Sequence, residues 1–231
     1  MSAGVIAHVS RCGSTLAARA MALAPDTVAI SEPPPVEDVL AGGGSADERA
    51  RALRTLLDEL AGGAPRAVLK LDSWALHDLD VVRAALPGVP VALLVREPAA
   101  VLASHAALPG MQMIPGALEQ RRVRVAAEIT TADDILDYRA RVLAALFDRA
   151  AAERDSFALV CDYRDLVPDG LTAMAEAFGL GMLPAEPLAE LLELDAKRPG
   201  FSFEGSDRPI TAGLRAAAAR WADEPYRRLM A

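Results

Sequence analysis

The chain has 231 residues, of which 52% are hydrophobic, and this composition supplies the core of a single domain spanning residues 1–231. The formal net charge of −8 and the pI of about 5.0 exclude the broad positive surface that binding of nucleic acid or an anionic membrane requires. The N-terminal apolar run stops at Ser10, which makes it too short for a signal peptide or a membrane span. We therefore expect a soluble cytoplasmic protein, a monomer or homodimer, with no membrane or nucleic-acid partner.

Short apolar runs alternate with helical patterns along the first half of the chain. Strands are predicted at 4–9, 28–30 and 67–71, and helices at 15–23, 46–60 (with Ser45 as its N-cap) and 76–85. The run from Glu32 to Pro35 is predicted to be irregular, because proline lacks the N–H group that regular structure uses. This pattern puts Glu32 immediately after a strand.

The second half continues the alternation. Val91–Val95 is apolar without interruption, which is typical of a strand buried on both faces. A helix at 99–107, an irregular region at 110–128, a long helix at 132–154, a strand at 157–161, a helix at 168–178 and a C-terminal helix follow. The pattern predicts an α/β fold of three layers, with a central, mainly parallel sheet flanked by helices. Ligands of such sheets bind beyond the carboxyl ends of the strands.

The segment from Ser10 to Thr15 joins the first strand to the first helix and has the features of an anion-binding loop. The N-terminus of a helix offers unpaired N–H groups and the positive end of its dipole. Arg11 adds a full charge, Gly13 permits close approach of the backbone, and the hydroxyls of Ser14 and Thr15 donate hydrogen bonds. The alternative is that the two hydroxyls only cap the helix. The ATP-binding pattern G-x-x-x-x-G-K-[ST] is absent, since Ser14 stands where its lysine belongs.

Two segments together resemble a known family. Residues 8–16 resemble the 5'-phosphosulfate loop of the sulfotransferases, including bacterial ones, that use 3'-phosphoadenosine 5'-phosphosulfate (PAPS). Residues 95–104 resemble their 3'-phosphate motif, in which an arginine and a serine are spaced as Arg96 and Ser104 are. The resemblance implies a P-loop-like fold, PAPS as donor, the nucleotide PAP as product and no metal. The alternative is that Arg96 ends a strand and Ser104 bonds to its own helix.

Further matches extend this likeness. The spacings of Glu32 and Lys70 are similar to those of the catalytic pair in tyrosylprotein sulfotransferases, and Tyr163 matches a tyrosine that lies near the adenine. Arg208 is a possible counterpart of a C-terminal phosphate-binding segment of the family. Cys12 departs from the pattern, because it stands in the loop where the family has serine.

The resemblance also implies roles in transfer to a hydroxyl or amine of a small-molecule acceptor. Arg11 and Lys70 would stabilise the leaving oxygen, and Glu32 is the first candidate for the base that takes the acceptor's proton. Asp72 is the second candidate, because cytosolic sulfotransferases carry a histidine two residues after a lysine. The structural alternatives are a solvated Glu32 and an Asp72 that caps a helix.

Two other functions remain open: a P-loop-type kinase for small molecules, and a protein that binds PAP or another nucleotide without turnover.

Some residues also have two interpretations. The three histidines are predicted to be structural or exposed, the apolar residues near 111–114 either line an acceptor pocket or fill the core, and the arginines of 121–124 either attract an anionic acceptor or form a solvated face.

Overall fold

The computed structural model describes residues 2–194 and 208–231, in which five strands form one sheet. All neighbouring strands are parallel, in the order β2-β3-β1-β4-β5. The strands are β1 (Ser2–His8), β2 (Thr27–Ser31), β3 (Arg66–Lys70), β4 (Val91–Val95) and β5 (Leu159–Asp162). The predicted α/β class with a parallel sheet is confirmed.

Helices flank this sheet. They are α1 (Ser14–Met21), α2 (Pro34–Ala41), α3 (Ala46–Leu60), α4 (Leu79–Ala85), α5 (Pro98–Ala107), α6 (Gln120–Val123), α7 (Ala132–Ala152), α8 (Leu171–Ala177), α9 (Ala185–Glu193), α10 (Ala212–Trp221) and α11 (Asp223–Met230). Helix α1 packs with α8 and α9, whereas α7 packs with α5, α10 and α11. None of the described helices combines the length and apolar character that a membrane crossing requires.

The sheet is the centre of the core because its middle strands are apolar on both faces. Every residue of β4 is buried, as the uninterrupted apolar run predicts, and Val5, Ile6 and Ala7 of β1 are buried as well. Helix starts follow their local sequence. Ser45 accepts a hydrogen bond from the Glu48 N–H and its own N–H donates back to the Glu48 carboxylate, which confirms the predicted N-cap.

Several predicted segments differ in the structure. The run from Glu32 to Pro35 is not wholly irregular, since α2 starts at Pro34. Proline fits the first turn of a helix, where no intrahelical N–H bond is needed. The helix predicted at 76–85 is a 3₁₀ helix at Ser73–Asp78 followed by α4. The region predicted as irregular holds a 3₁₀ helix at Met111–Met113 and the short α6. The sequence patterns gave no prediction for α9.

The strand order determines where a site can form. Strand β1 lies between β3 and β4, so the chain leaves β1 towards β2 on one side while β4 lies on the other. This reversal is the switch point at which parallel sheets open a crevice beyond their carboxyl ends. Because all five strands run in one direction, the loops that follow them emerge at a single edge, as the sequence predicted.

Candidate active site

The loop after β1 has an unusual backbone. Ser10 and Arg11 have φ angles of 78° and 54°, and Gly13, which precedes α1, has a φ of 80°. Non-glycine residues in this left-handed region cost on the order of 1 kcal/mol each and are concentrated at functional sites. Glu32, after β2, also has a positive φ of 46°. The surrounding contacts therefore have to hold these residues in place.

Two buried histidines hold Ser10. The Ser10 N–H donates to His8 Nδ1 at 3.0 Å, and the Gly110 N–H donates to His105 Nδ1 at 3.1 Å. Since Nδ1 of His105 accepts, its Nε2 carries the proton and donates to Ser10 Oγ, 3.1 Å away. The histidines are structural, and one of them connects the loop to a segment almost a hundred residues away.

The rest of the loop packs into the fold. A β-carbon on Gly13 would lie 2.4 Å from Leu166 Cδ2, so the glycine is required by space as well as by its φ. Cys12 is buried, and its thiol donates to the Leu94 carbonyl at 3.2 Å. The thiol therefore contacts the end of β4. Loops of this kind bind anions through backbone N–H groups, which a cysteine in place of serine leaves unchanged.

Two arginines and a tyrosine meet at the ends of β1, β4 and β5. Arg11 donates to the carbonyl of Leu108. Arg96, which is 7% exposed, donates through Nη1 to the Arg11 carbonyl at 3.3 Å. The guanidinium carbon of Arg96 lies 4.3 Å from the centroid of the Tyr163 ring. Three residues that the resemblance assigned to the donor thus lie together.

The loop that carries Tyr163 is fixed by the C-terminal helix. Tyr226 of α11 donates its hydroxyl to Asp162 Oδ2 at 2.6 Å, and Arg164 Nε donates to Asp162 Oδ1 at 2.9 Å. Burial raises the pKa of Asp162, but these hydrogen bonds outweigh it, so that the pKa lies below its usual value. No sequence pattern indicated this contact.

Two residues assigned to the donor's 3'-phosphate are less well defined. Ser104 is half-buried on α5, next to His105, and so lies near the loop after β1. Arg208 is exposed and precedes α10, which packs against α5. The roles of Ser104 and Arg208 stay predictions.

Glu32 and Lys70 form an ion pair at the ends of β2 and β3. Lys70 is only 1% exposed, and its Nζ lies 2.5 Å from Glu32 Oε1; His8 Nε2 lies 3.3 Å from the same oxygen. Burial raises the pKa of Glu32, but the hydrogen bonds from His8 and Lys70 and the charge of Lys70 lower it to about 2. Burial lowers the pKa of His8, so its ring is neutral at pH 7.

The surroundings of Asp72 shift its pKa in the direction opposite to the shift of Glu32. Asp72 lies two residues after the end of β3, precedes the 3₁₀ helix at Ser73–Asp78 and makes no capping hydrogen bond with its side chain. Burial, followed by the negative charges of Glu32 and Glu37, raises the pKa of Asp72 to about 7. The two carboxyl groups named as candidate bases therefore differ by about five pKa units, with Asp72 the one poised near neutral pH.

A third carboxylate, Glu37, lies close enough to Asp72 for its charge to raise the pKa of Asp72. Glu37 of α2 accepts hydrogen bonds from Trp74 and from the buried Arg122, while burial raises its pKa against the opposing charge of Arg122. Arg122 is thus not part of a solvated face, whereas Arg121 is exposed and paired with Glu119. Among residues 2–194 and 208–231, no group of three or more histidine, cysteine, aspartate or glutamate residues is arranged to hold a metal ion.

Comparisons with known proteins identify the fold. No protein-family model matches the sequence, and no curated protein is significantly similar to it in sequence. Solved structures do match: a sulfotransferase domain from the olefin synthase of Synechococcus PCC 7002 has a TM-score of 0.50 and 17% identity over 95% of this chain and 94% of that one. A sulfotransferase domain from the curacin biosynthetic pathway has a TM-score of 0.50 and 15% identity over 94% of this chain and 95% of that one. The chain therefore has the fold of the bacterial sulfotransferase domains, as the resemblance of its two motifs implied.

Proposed function

We propose that the protein is a PAPS-dependent sulfotransferase, which transfers a sulfuryl group to a hydroxyl or amine of a small-molecule acceptor and releases PAP. One observation carries the proposal: the strained loop after β1, Arg96 and Tyr163 meet at the same sheet edge as the buried Lys70. In a chain with the sulfotransferase fold, this is the set of groups that a nucleotide with two anionic ends needs. We expect the enzyme to act in the cytoplasm.

The residues present fit PAPS as donor. The N–H groups of the first turn of α1 have no partner within the helix, and with Arg11 they suit the 5'-phosphosulfate. Arg96 offers a planar set of donors for the 3'-phosphate, and Ser104 on the helix that follows carries a hydroxyl that suits the same group. Tyr163 supplies an aromatic surface for the adenine. PAPS itself supplies the activated sulfur–oxygen bond.

Lys70 suits stabilisation of the leaving group. During transfer, a bond forms between sulfur and the acceptor oxygen while the bond from sulfur to the bridging phosphate oxygen breaks, and its electron pair stays on that oxygen. Negative charge therefore grows on the phosphate. Lys70 is a buried cation on the strand beside β1, so its charge acts in a site of low dielectric, where it stabilises this oxygen strongly.

The contacts of the two carboxylates support Asp72 as the base and give Glu32 a positioning role. Glu32 is bound by Lys70 and faces His8, and with a pKa of about 2 it is a weak acceptor of protons. The pKa of Asp72, raised to about 7, matches the requirement for a base that works near neutral pH. In this division of roles, Asp72 takes the proton of the acceptor hydroxyl and Glu32 orients Lys70.

The proposal is tested by ligand-induced stabilisation of the purified protein. A ligand at 100 times its Kd stabilises the folded state by roughly 2.7 kcal/mol, which raises the melting temperature by roughly 5–10 °C in a protein of this size. We expect this response to PAP and to PAPS, a smaller one to adenosine 5'-phosphate, and release of PAP when PAPS is supplied with an alcohol. Stabilisation by ATP with Mg²⁺ and none by PAP would instead identify a kinase. PAP binding without turnover on any hydroxyl or amine acceptor would leave only a nucleotide-binding protein.

A further inference from the structure

The segment of residues 108–114 is hydrogen-bonded at its first end to the donor loop, which is the loop after β1 (residues 10–15) where the donor is proposed to bind. The Leu108 carbonyl accepts from the guanidinium of Arg11, and the Gly110 N–H donates to His105, which in turn donates to Ser10. Both contacts cross to the loop after β1. The segment therefore begins where the phosphosulfate of the donor is proposed to bind.

Its second end is hydrogen-bonded next to Asp72, the proposed base. Gln112 Nε2 donates to Ser73 Oγ at 3.1 Å, and Ser73 is the residue after Asp72. Tyr138 of α7 donates its hydroxyl to the Gln112 carbonyl at 3.4 Å. The segment thus runs from the donor loop to the residue next to Asp72, along the path on which an acceptor hydroxyl has to meet both.

The segment presents an apolar face to solvent. Leu108, Met111 and Ile114 are 66%, 55% and 42% exposed, whereas Gln112 and Met113 are buried. The Ile114 N–H donates to the Met111 carbonyl, and side chains three residues apart are aligned in such a 3₁₀ turn. Three large apolar side chains exposed within one short segment mark a binding surface rather than the scattered single residues that any protein exposes.

The charges on this side indicate what kind of molecule the face accepts. Arg122, a buried arginine whose charge acts on Asp72, is ion-paired with Glu37 and so does not offer its charge to an anionic acceptor. Glu32 and Glu37 are each paired with a cation, so Asp72 is the carboxylate whose negative charge opposes an anion in the same place. An uncharged acceptor satisfies these conditions.

We propose that the outer face formed by Leu108, Met111 and Ile114 binds the apolar body of the acceptor, an uncharged alcohol or phenol whose hydroxyl points to Asp72. This inference rests on the proposed sulfotransferase function, because the hydroxyl is the group that receives the sulfuryl. The apolar face then sets the substrate class: affinity comes from the buried hydrocarbon, and reactivity from the hydroxyl that the face aims at the site.

A binding experiment tests the face without requiring turnover. Protein labelled with ¹³C at the methionine methyl groups is saturated with PAP and titrated with 1-butanol, 1-hexanol and 1-octanol, with glycerol as the polar comparison. We expect saturable movement of the Met111 signal, assigned through Met111→Leu, with affinity rising about two- to fourfold per added CH2 group. Met182 is 95% exposed outside this segment, and its signal should not move.

Substitutions complete the test. The double variant M111Q/I114N should lose most of the dependence on chain length while its Kd for PAP stays that of the wild type, and Met182→Gln should change neither. A Met111 signal unmoved by octanol, or a chain-length dependence that survives the double variant, would overturn the inference. Movement with neutral phosphatidylcholine vesicles but not with octanol would assign the face to a membrane and overturn it as well. If the wild-type protein binds octanol at this face but does not bind PAP, the proposed function is refuted and the apolar face is not.

Discussion

The loops after β1, β4 and β5 differ from the loops after β2 and β3 in the charge they bring to the sheet edge. The first group brings Arg11 and Arg96, held by backbone carbonyls and an aromatic ring. The second brings the carboxylates Glu32 and Asp72. In the proposed reaction, one side binds a polyanion and the other removes a proton, and each task requires the charge found there.

Lys70 lies at the boundary between the two sides. It ends β3, which pairs with β1 on one side and β2 on the other, so the strand order places its buried side chain between the two groups of loops. Without donor, Glu32 neutralises this cation. The switch point of the sheet is therefore also the place where the charge along the sheet edge changes sign, and single substitutions on either side can remove this difference.

The largest expected effect is on the acceptor side. Asp72→Asn should lower kcat by roughly 10²–10⁴-fold, the usual contribution of a general base, while the Kd for PAP changes little. In the wild type, transfer should rise with pH through about 7, because only the ionised carboxylate accepts a proton and the pKa of Asp72 is raised to about 7. The measurement is the pH profile of kcat/KM, which should lose this limb in the variant.

The control for this prediction is Asp58→Asn, on an exposed position of α3, which should leave the profile unchanged. If Asp72→Asn keeps its rate and its pH limb while Glu32→Gln loses transfer with PAP binding intact, the base is Glu32, the first candidate from the sequence.

The next effect is on the donor side. Arg96→Ala should weaken PAP binding by about 10- to 100-fold, because a buried guanidinium contributes about 1.5–3 kcal/mol through hydrogen bonds to a charged group. Adenosine 5'-phosphate lacks the 3'-phosphate, so its affinity should change far less. Calorimetric titration of both nucleotides checks this, with Arg66→Ala at the amino end of β3 as control. Equal losses for the two nucleotides would remove the 3'-phosphate assignment.

Much of this edge could be predicted from the sequence, because the carboxyl ends of parallel strands share an edge once the strands are located. Locating the strands was therefore enough to predict that the loop after β1 lies near Lys70, Arg96 and Tyr163. The hydrogen bonds that hold the loop after β1 in place could not be predicted. His105 contacts Ser10, which is 95 residues away in the sequence, and such long-range pairings leave no local pattern.

The protonation states of the two candidate bases also could not be predicted from the sequence. Spacing favoured Glu32 over Asp72 as the base, yet a pKa depends on which charges surround a group after folding. Asp72 gains burial and two negative neighbours, whereas Glu32 gains the Lys70 cation. The start of α2 inside the proline run was missed for a simpler reason, since proline is compatible with the first turn of a helix.

The smallest expected effect concerns the ion pair that joins the two sides. Glu32→Gln should lower the free energy of unfolding at pH 7 by about 2 kcal/mol, less than a fully buried pair because the Glu32 side chain is 39% exposed. The pKa of Glu32 is lowered from 4.5 to about 2, so this stabilisation is present above pH 4.5 and is lost as the pH falls towards 2. Urea unfolding of wild type and variant at pH 7 and pH 3 measures the difference. Glu119→Gln, which breaks only the exposed pair with Arg121, should leave the free energy of unfolding almost unchanged. If the two substitutions cost the same at pH 7, Glu32 does not hold Lys70, and its positioning role is refuted.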